Sequence, residues 1–359
     1  MKNTNNRLLS LDVLRGITVA SMILVNNSGG RETFAPLRHA DWNGLTPCDL
    51  VFPFFLFMVG ISTYISLNKF HFEATSQAIG KILKRTLIIL LIGWAIHWFH
   101  HAIEGNFFVF DHLRLTGVLP RIAICYCIVS IYALYCNHRY TLPIVITLLI
   151  GYAVLLLTGN GYLNDGTNIL AKGDHWLLGE VHLYTKRPID PEGVVSTIGA
   201  IAHTLLGFFC GKLIITNQKN EEKVLKLLLF GFIITAIGLL ITFSLPLNKR
   251  IWSPSFALVT CGFAASLLAC LMYKIDIHNK RTGCNFFLIY GVNPLFLYVM
   301  SELVAILFDE FGIKRVICNG INGLFGEGCI SSAIYAIGFM LLFGIIGYPL
   351  WKKRIYIKI

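Results

Sequence analysis

The chain has 359 residues, 55% of them hydrophobic and only 14% charged, with a mean hydropathy of +0.68. A soluble domain carries roughly 25% charged residues, so this composition excludes a soluble globular enzyme. The formal net charge of +11 follows from where cations fall between apolar blocks, and it reports membrane topology more than nucleic-acid binding.

The apolar residues come in blocks of about twenty, the length an α-helix needs to cross ~30 Å of hydrocarbon. Ten spans are expected, at 8–27, 48–68, 84–101, 117–136, 141–158, 194–215, 226–245, 255–273, 284–307 and 331–351. The expected fold class is an all-α, polytopic transmembrane bundle forming a single domain over 1–359. An even count puts both termini on one side. The termini and loops of that side hold eighteen Lys and Arg, among them Lys2, Arg7, Lys81, Lys84, Arg85, Lys212, Arg281 and Lys358. The opposite loops hold ten, among them Arg31, Lys186 and Lys249, spread over more residues. The positive-inside rule makes the first side, and both termini, cytoplasmic. The residues ahead of the first span are polar and the span itself carries Asp12 and Arg15, so this helix is expected to be retained and not cleaved as a leader.

Charges at membrane depth cost ~2.5–3.5 kcal/mol each on insertion scales and default to functional candidates. Asp12 and Arg15 lie one helical turn apart and can pair. Arg121 follows Pro120, and Glu302 follows the Asn293-Pro294 break. Either these are structural pairs, or Arg15 and Arg121 face a phosphate- or carbonyl-bearing ligand inside the bundle.

Between the first two spans, Arg38-His39-Ala40-Asp41-Trp42-Asn43-Gly44 places an imidazole, carboxyl and amide groups and an indole on a polar loop, 28–47. Histidine is the natural base near neutral pH, which makes His39 the candidate chemical centre. Asp41, two residues on, or Asp49, ten residues on, can orient its ring. The competing reading is an ordinary interfacial loop, with Trp42 as a headgroup anchor and His39 solvated. Further along, His97, His100, His101 and Glu104 share one helical face at metal-ligand spacing. They fall at an expected membrane interface, and no metal is expected there.

The segment 159–193 is too long for a bare connector and carries Asp165, Asp174, His175, Trp176, Glu180, His182 and Tyr184. Carboxylates interleaved with aromatics suit a sugar, through hydrogen bonds and stacking on ring CH faces. Trp42, Asn43, His175, Trp176 and Glu180 are the candidate substrate-binding residues. The ten cysteines show no zinc pattern. Most lie in apolar blocks and read as small core residues, whereas Cys318 and Cys329 flank one short Gly-rich loop and are candidates for a disulfide in an oxidising compartment.

Several stretches together are similar to a known family. Arg7-Leu8 with Leu11-Asp12-Val13-Leu14-Arg15-Gly16, Val25-Asn26, Gly29-Gly30, His39-Ala40, Trp42-Asn43-Gly44-Leu45-Thr46, Asp49-Leu50-Val51-Phe52-Pro53 and Gly60 resemble the heparan-α-glucosaminide N-acetyltransferases. So do Gly117-Val118-Leu119 with Arg121, Asp190-Pro191-Glu192-Gly193 ahead of Ser196-Thr197, Asn248-Lys249 with Trp252-Ser253, and Gly291 with Asn293. The resemblance runs from about Arg7 to Tyr298. It implies transfer of acetyl from cytosolic acetyl-CoA to the amine of a terminal glucosamine, heparan-derived or free, on the far side of the membrane. It maps the family's active-site histidine onto His39 and its nearby asparagine onto Asn26, and it favours a homodimer. Asp41 falls where lysosomal members carry serine, and Ser28 replaces a glycine. The chain is expected to lack the additional N-terminal luminal portion of lysosomal members, and so to be a bacterial inner-membrane homologue using the periplasm as the acceptor side.

On this reading Lys81, Lys84, Arg85 and Arg281 are candidates for the CoA phosphates, with Arg15 and Arg121 along the pantetheine path and no metal required. Direct transfer and an acetyl-histidine intermediate remain alternatives. So do an acyltransferase for another cell-envelope sugar and a sugar carrier without acyl transfer.

Overall fold

A computed structural model describes residues 8–30, 32–184, 187–217 and 219–357. Among these residues there is no β-strand, and thirteen α-helices carry the fold. In chain order they are α1 (Leu9–Asn26), α2 (Val51–Asn68), α3 (Ser76–Ile103), α4 (Val118–Tyr135), α5 (Thr141–Thr158), α6 (Ile169–Leu178) and α7 (Thr197–Thr216). They continue with α8 (Asn220–Ile241), α9 (Pro254–Leu271), α10 (Cys284–Val292), α11 (Pro294–Glu310), α12 (Ile313–Phe325) and α13 (Cys329–Lys352).

Eight of the described helices are long and apolar enough to cross a membrane: Leu9–Asn26, Pro47–Asn68, Val118–Tyr135, His138–Thr158, Thr197–Thr216, Asn220–Ile241, Pro254–Ile277 and Cys329–Lys352. A ninth expected span, 284–307, is the pair α10 and α11, bent by 79°. Pro294 lacks an N–H and biases the residue before it away from helical geometry. The buried Asn293 serves the break from its side chain. Its Nδ2 donates to the Ile355 carbonyl at 2.8 Å, and its Oδ1 accepts from the Ile357 N–H at 2.8 Å. The tenth expected span, 84–101, lies within the 28-residue α3, which is not among the eight; Lys81, Lys84 and Arg85 stand toward one end and His97, His100 and His101 toward the other. Of the cations used to orient the chain, Lys2, Arg7, Arg31, Lys186 and Lys358 lie outside the described residues.

By their contacts the described residues fall into two compact units. The first takes those of 1–38, 216–232 and 264–358, and the second those of 39–215 and 233–263. In the first unit α1 packs on α10, α11 and α13. Small residues let helix backbones approach closely where apolar burial gives no preference over lipid. At Gly16 an added Cβ would sit 1.8 Å from the Phe287 carbonyl oxygen. In the second unit α2 and α7 meet in the same way: a Cβ on Gly207 would lie 2.2 Å from the Phe57 oxygen. α4 packs on both α2 and α3.

The candidate disulfide is not formed. Cys318 and Cys329 are free thiols. Residues 313–325 form a helix instead of an open loop, so Cys318 projects from within α12 while Cys329 begins α13.

The polar segment 159–193 is ordered by its own hydrogen bonds and by a small apolar core. Asn168, fully buried, caps α6 by accepting from the Leu170 N–H at 2.8 Å, and it donates to the carbonyls of Gly161 and Leu163. α6 then lays Leu170 and Ala171 against Tyr152, Leu156, Ile189 and Ile251, with Trp42 packed on the edge of this cluster.

Candidate functional site

The site is built where α2 begins. Thr46-Pro47-Cys48-Asp49-Leu50 forms a capped 3-10 turn leading into α2, with Pro47 at its first position, where a missing N–H costs nothing. Asp49 folds its carboxylate back over the turn. Its Oδ2 accepts from the Thr46 N–H at 3.1 Å, the Thr46 hydroxyl at 3.0 Å and the Ala40 N–H at 3.1 Å. Its Oδ1 remains, and it lies 2.7 Å from His39 Nδ1. A carboxylate held this way only accepts, so His39 donates from Nδ1, which in the neutral ring leaves the lone pair on Nε2. The Asp49 side chain is 1% exposed and that of His39 50%. The carboxylate is buried while the imidazole is open.

Two further groups reach the same ring. Lys249 Nζ lies 3.1 Å from His39 Nδ1, 3.5 Å from Nε2 and 3.5 Å from Asp49 Oδ1. Cys48 Sγ lies 3.1 Å from Nδ1, with Cys48 buried beneath the ring. Lys249 comes from the loop between α8 and α9. There the buried Asn248 donates to Asn43 Oδ1 and accepts from the N–H groups of Arg250 and Ile251. The Gly44 N–H donates to the Leu247 carbonyl at 2.7 Å, so the His39 loop and the Lys249 loop are stitched together.

His39, Asp49 and Lys249 line a cavity of about 260 Å³ with Trp42, Tyr184 and Trp252 among its walls and Arg187, Glu192 and Arg250 at its polar positions. Trp42 is fixed by its indole N–H donating to the Tyr162 carbonyl at 2.8 Å, and Arg250 lies over its ring. Glu192 and Tyr184 are placed by Asp190. This buried carboxylate accepts from the Tyr184 and Glu192 N–H groups, the Thr116 hydroxyl and Arg114, while the same Arg114 nitrogen also binds Glu192. Burial pushes the Asp190 carboxyl up, but Arg114, with the hydrogen bonds from Thr116 and Glu192, overcomes that and holds it below the ordinary carboxylate range. Nearby, burial pushes the Asp174 carboxyl up to about 6; backbone donors, the Val195 N–H foremost, only partly oppose this.

Of the residues singled out in the sequence, the fold brings His39, Asp49 and Trp42 to the cavity and ties Asn43 to Asn248 beside it. Asp41 is exposed and does not line the cavity. His175, Trp176 and Glu180 do not line it either: Trp176 is 83% exposed, and His175 faces Glu180 at 3.5 Å on the outer side of α6. α6 turns Leu170, Ala171 and Asp174 inward and His175 and Trp176 outward, and Glu180 follows it in an exposed turn. Asn26 belongs to the other unit, where its Nδ2 donates to Glu302 at 3.1 Å. Arg15 pairs with Asp12 at 2.9 Å. Arg121 is buried, with Nη2 bound to the Gly193 carbonyl and Ser196, and with Nε and Nη1 lacking hydrogen-bond partners among the described residues. Lys81 and Lys84 are exposed on α3, Arg85 lies over the Tyr126 ring, and Arg281 is exposed in the other unit. The ligand atoms of His100, His101 and Glu104 come within 4.8 Å of one another.

The sequence reading missed Lys249, Cys48, Glu192, Arg250 and Trp252 as site residues. The signal for Lys249 and Arg250 was present: two adjacent cations on the cation-poor side, next to the Asn248-Lys249 and Trp252-Ser253 matches.

Residues 7–234 match the family described as heparan-alpha-glucosaminide N-acetyltransferase, catalytic. The chain is 27% identical over its whole length to the mouse protein of the name heparan-alpha-glucosaminide N-acetyltransferase, covering 61% of that protein. It is 28% identical over 98% of its length to the human protein of the same name, covering 60% of it. The chain thus spans about three-fifths of the length of these relatives. It carries the family's sequence over well more than half its length, with the His39–Asp49 pair inside the matched stretch, and it belongs to the heparan-alpha-glucosaminide N-acetyltransferase family.

Proposed function

We propose that this chain is a transmembrane acetyltransferase that moves acetyl from cytosolic acetyl-CoA to the amine of a terminal glucosamine, heparan-derived or free, on the extracytoplasmic side. The observation that carries this reading is the 2.7 Å bond between His39 Nδ1 and Asp49 Oδ1 at the wall of a cavity lined by Trp42, Tyr184 and Trp252. It supplies an oriented base whose free nitrogen faces a space with aromatic walls and polar edges, suited to a sugar ring.

In the proposed reaction a glucosamine amine seats against His39. Nε2 takes an amine proton as the nitrogen attacks the thioester carbonyl. The C–N bond forms, the tetrahedral oxygen gathers negative charge, and the C–S bond breaks. The departing thiolate recovers the proton from the imidazolium, leaving N-acetylglucosamine, CoA and neutral His39. Asp49 holds the ring and steadies its charged form, as a carboxylate partner does in hydrolytic triads. This direct route is preferred over an acetyl-histidine because one oriented imidazole then serves as both base and acid.

The remaining assignments belong to the same proposal. Ten crossings, counting α3 and the bent pair α10–α11, put both termini in the cytoplasm. Lys81, Lys84, Arg85 and Arg281 meet the CoA phosphates there, and Arg15 and Arg121 lie along the pantetheine path. The partly unpartnered Arg121 guanidinium supports a ligand carbonyl beside it. The protein acts as one acyltransferase domain, a homodimer in a bacterial inner membrane, with loops 28–47 and 159–193 shaping the acceptor site.

The test is acetyl transfer from labelled acetyl-CoA to glucosamine and to a heparan disaccharide ending in glucosamine, by purified protein and by His39→Ala. Transfer that vanishes in the variant supports the reading. Equal use of both acceptors points to amino-sugar salvage. Transfer surviving in the variant removes His39 as base, and an absence of CoA release with any amino sugar favours a carrier.

A further inference from the structure

We propose that Lys249 is a catalytic residue: its ammonium donates to the acyl oxygen as negative charge develops there. This rests on the acetyl-transfer reading above.

The first argument is that Asp49 does not need Lys249. Its four bonds, to Ala40 N–H, Thr46 N–H, the Thr46 hydroxyl and His39, already satisfy the buried carboxylate. Lys249 approaches at 3.5 Å, an ion-pair distance and too long for a good hydrogen bond. His39 Nδ1 cannot accept from it either, since that nitrogen donates to Asp49. An ammonium has three N–H groups, and among the described residues the acceptors they approach, Asp49 Oδ1 and the Nε2 lone pair of His39, both stand at 3.5 Å. The cation is held in place without a short hydrogen bond to either.

The second argument is position. Nζ stands 3.5 Å from His39 Nε2, the nitrogen with the lone pair, and Lys249 lines the cavity. A nucleophile hydrogen-bonded to Nε2 brings the acyl carbon beside that nitrogen, and a carbonyl oxygen turned toward Lys249 comes within reach of its ammonium. Donors aimed at the place where charge develops, in a site that needs no reorganisation, contribute most to acyl-transfer rates.

The third argument is rigidity. The Lys249 loop is pinned by Asn248 to Asn43, and by Ser253, whose hydroxyl donates to the Pro246 carbonyl and accepts from the Asn248 N–H. Trp252 in this loop has φ +50°, a left-handed conformation that a bulky residue adopts only when its surroundings over-determine it. Its 1%-exposed ring is wedged edge-on against Phe52, His203 and Phe256. The loop holds an unfavourable backbone conformation while presenting one lysine to the ring of one histidine.

The experiment compares wild type, Lys249→Met, Lys249→Gln and Lys249→Arg as monodisperse protein in the same detergent. It measures kcat and KM for acetyl-CoA and glucosamine, with acetyl-CoA binding read separately by calorimetry. An oxyanion donor predicts that Met and Gln lower kcat by about 100-fold while both KM values and acetyl-CoA affinity stay within about twofold. Arginine, which keeps the charge, should recover at least tenfold of that loss. A variant that raises KM at unchanged kcat makes Lys249 a binding residue and overturns the proposal. So does Arg behaving like Met and Gln, which marks a packing role, or unchanged kinetics throughout. If wild type transfers acetyl to no amino sugar, the underlying reading fails, and this proposal with it; if wild type is active and only the lysine variants disagree, the reading stands and Lys249 alone is excluded.

Discussion

The Trp42 indole N–H donates to the Tyr162 carbonyl at 2.8 Å, joining residues 120 positions apart. The bond ties the loop that carries His39 to the start of the segment that carries Tyr184, Arg187 and Glu192, so the two walls of the cavity are set against each other by one side chain. Trp42→Phe keeps a ring and removes the donor, leaving the carbonyl without this partner. We expect a loss of about 1 kcal/mol in stability and a several-fold rise in KM for the sugar, with KM for acetyl-CoA unchanged. Thermal unfolding and acceptor titrations check this, and an unchanged sugar KM would show that the indole bond does not shape the acceptor site.

Asp49→Asn leaves the volume of the turn intact but inverts the chemistry of the dyad. Oδ2 accepts three donors from Ala40 and Thr46, so the amide oxygen must take that place and the NH2 must face His39. Nδ1 then has to accept, and the proton moves to Nε2, where no lone pair remains for the amine. Transfer should fall by two or more orders of magnitude, about the scale seen when a triad carboxylate is replaced by its amide. Single-turnover assays on folded protein measure it, and a loss of less than about threefold would remove Asp49 as the orienting group.

The Asp174 carboxyl, pushed by burial up to about 6, gives a pH dependence with a definite sign. The native state binds this proton more tightly than the unfolded chain, whose carboxyl titrates near 3.8. Both states are protonated below pH ~4, so nothing is lost there. As pH rises toward about 6 the native state must ionise a buried carboxyl, and stability falls by on the order of 2–3 kcal/mol. Asp174→Asn should therefore gain stability relative to wild type progressively from pH 4 to 7. Unfolding temperatures measured across that range decide it: a constant offset between the two proteins contradicts the assignment.

Gly207→Ala forces a Cβ to 2.2 Å from the Phe57 carbonyl oxygen, where the neighbour is backbone and cannot swing away. Overpacking of this kind costs ~1–3 kcal/mol, and here it displaces α2, which carries the site. Gly80→Ala in α3 is the control, since an added Cβ there meets nothing within 4 Å, and the alanine should be neutral or stabilising by up to ~1 kcal/mol. Equal unfolding temperatures for the two variants would show that the α2–α7 contact is not close.

That His39, Trp42 and Asp49 sit on a loop running into a membrane-length helix was legible because it is written locally. Thr46-Pro47-Cys48-Asp49 specifies a capped turn before an apolar block, and His39 is ten residues from the only acid in that turn. His175, Trp176 and Glu180 lie away from the cavity for a related reason. Composition suggested a sugar surface, but the register of α6 turns His175 and Trp176 out and buries Leu170, Ala171 and Asp174, and Glu180 follows in an exposed turn. Cys318 and Cys329 were candidates for pairing because a short loop was read between them, and residues 313–325 form a helix there.

The sequence alone determined the helical class, most of the membrane-crossing segments and the family, because hydrophobic run length and contiguous motifs are properties of neighbouring residues. It also placed two carboxylates, Asp41 and Asp49, within ten residues of His39, and the structure chose Asp49. Only the tertiary structure decided that Lys249, 210 positions from His39, stands at the same imidazole, that Asp190 rather than a loop residue at the surface organises the second wall, and that Asn26 bonds to Glu302. These contacts arise where distant loops meet, fixed by glycine-tight helix approaches and buried polar bonds whose partners no local pattern encodes.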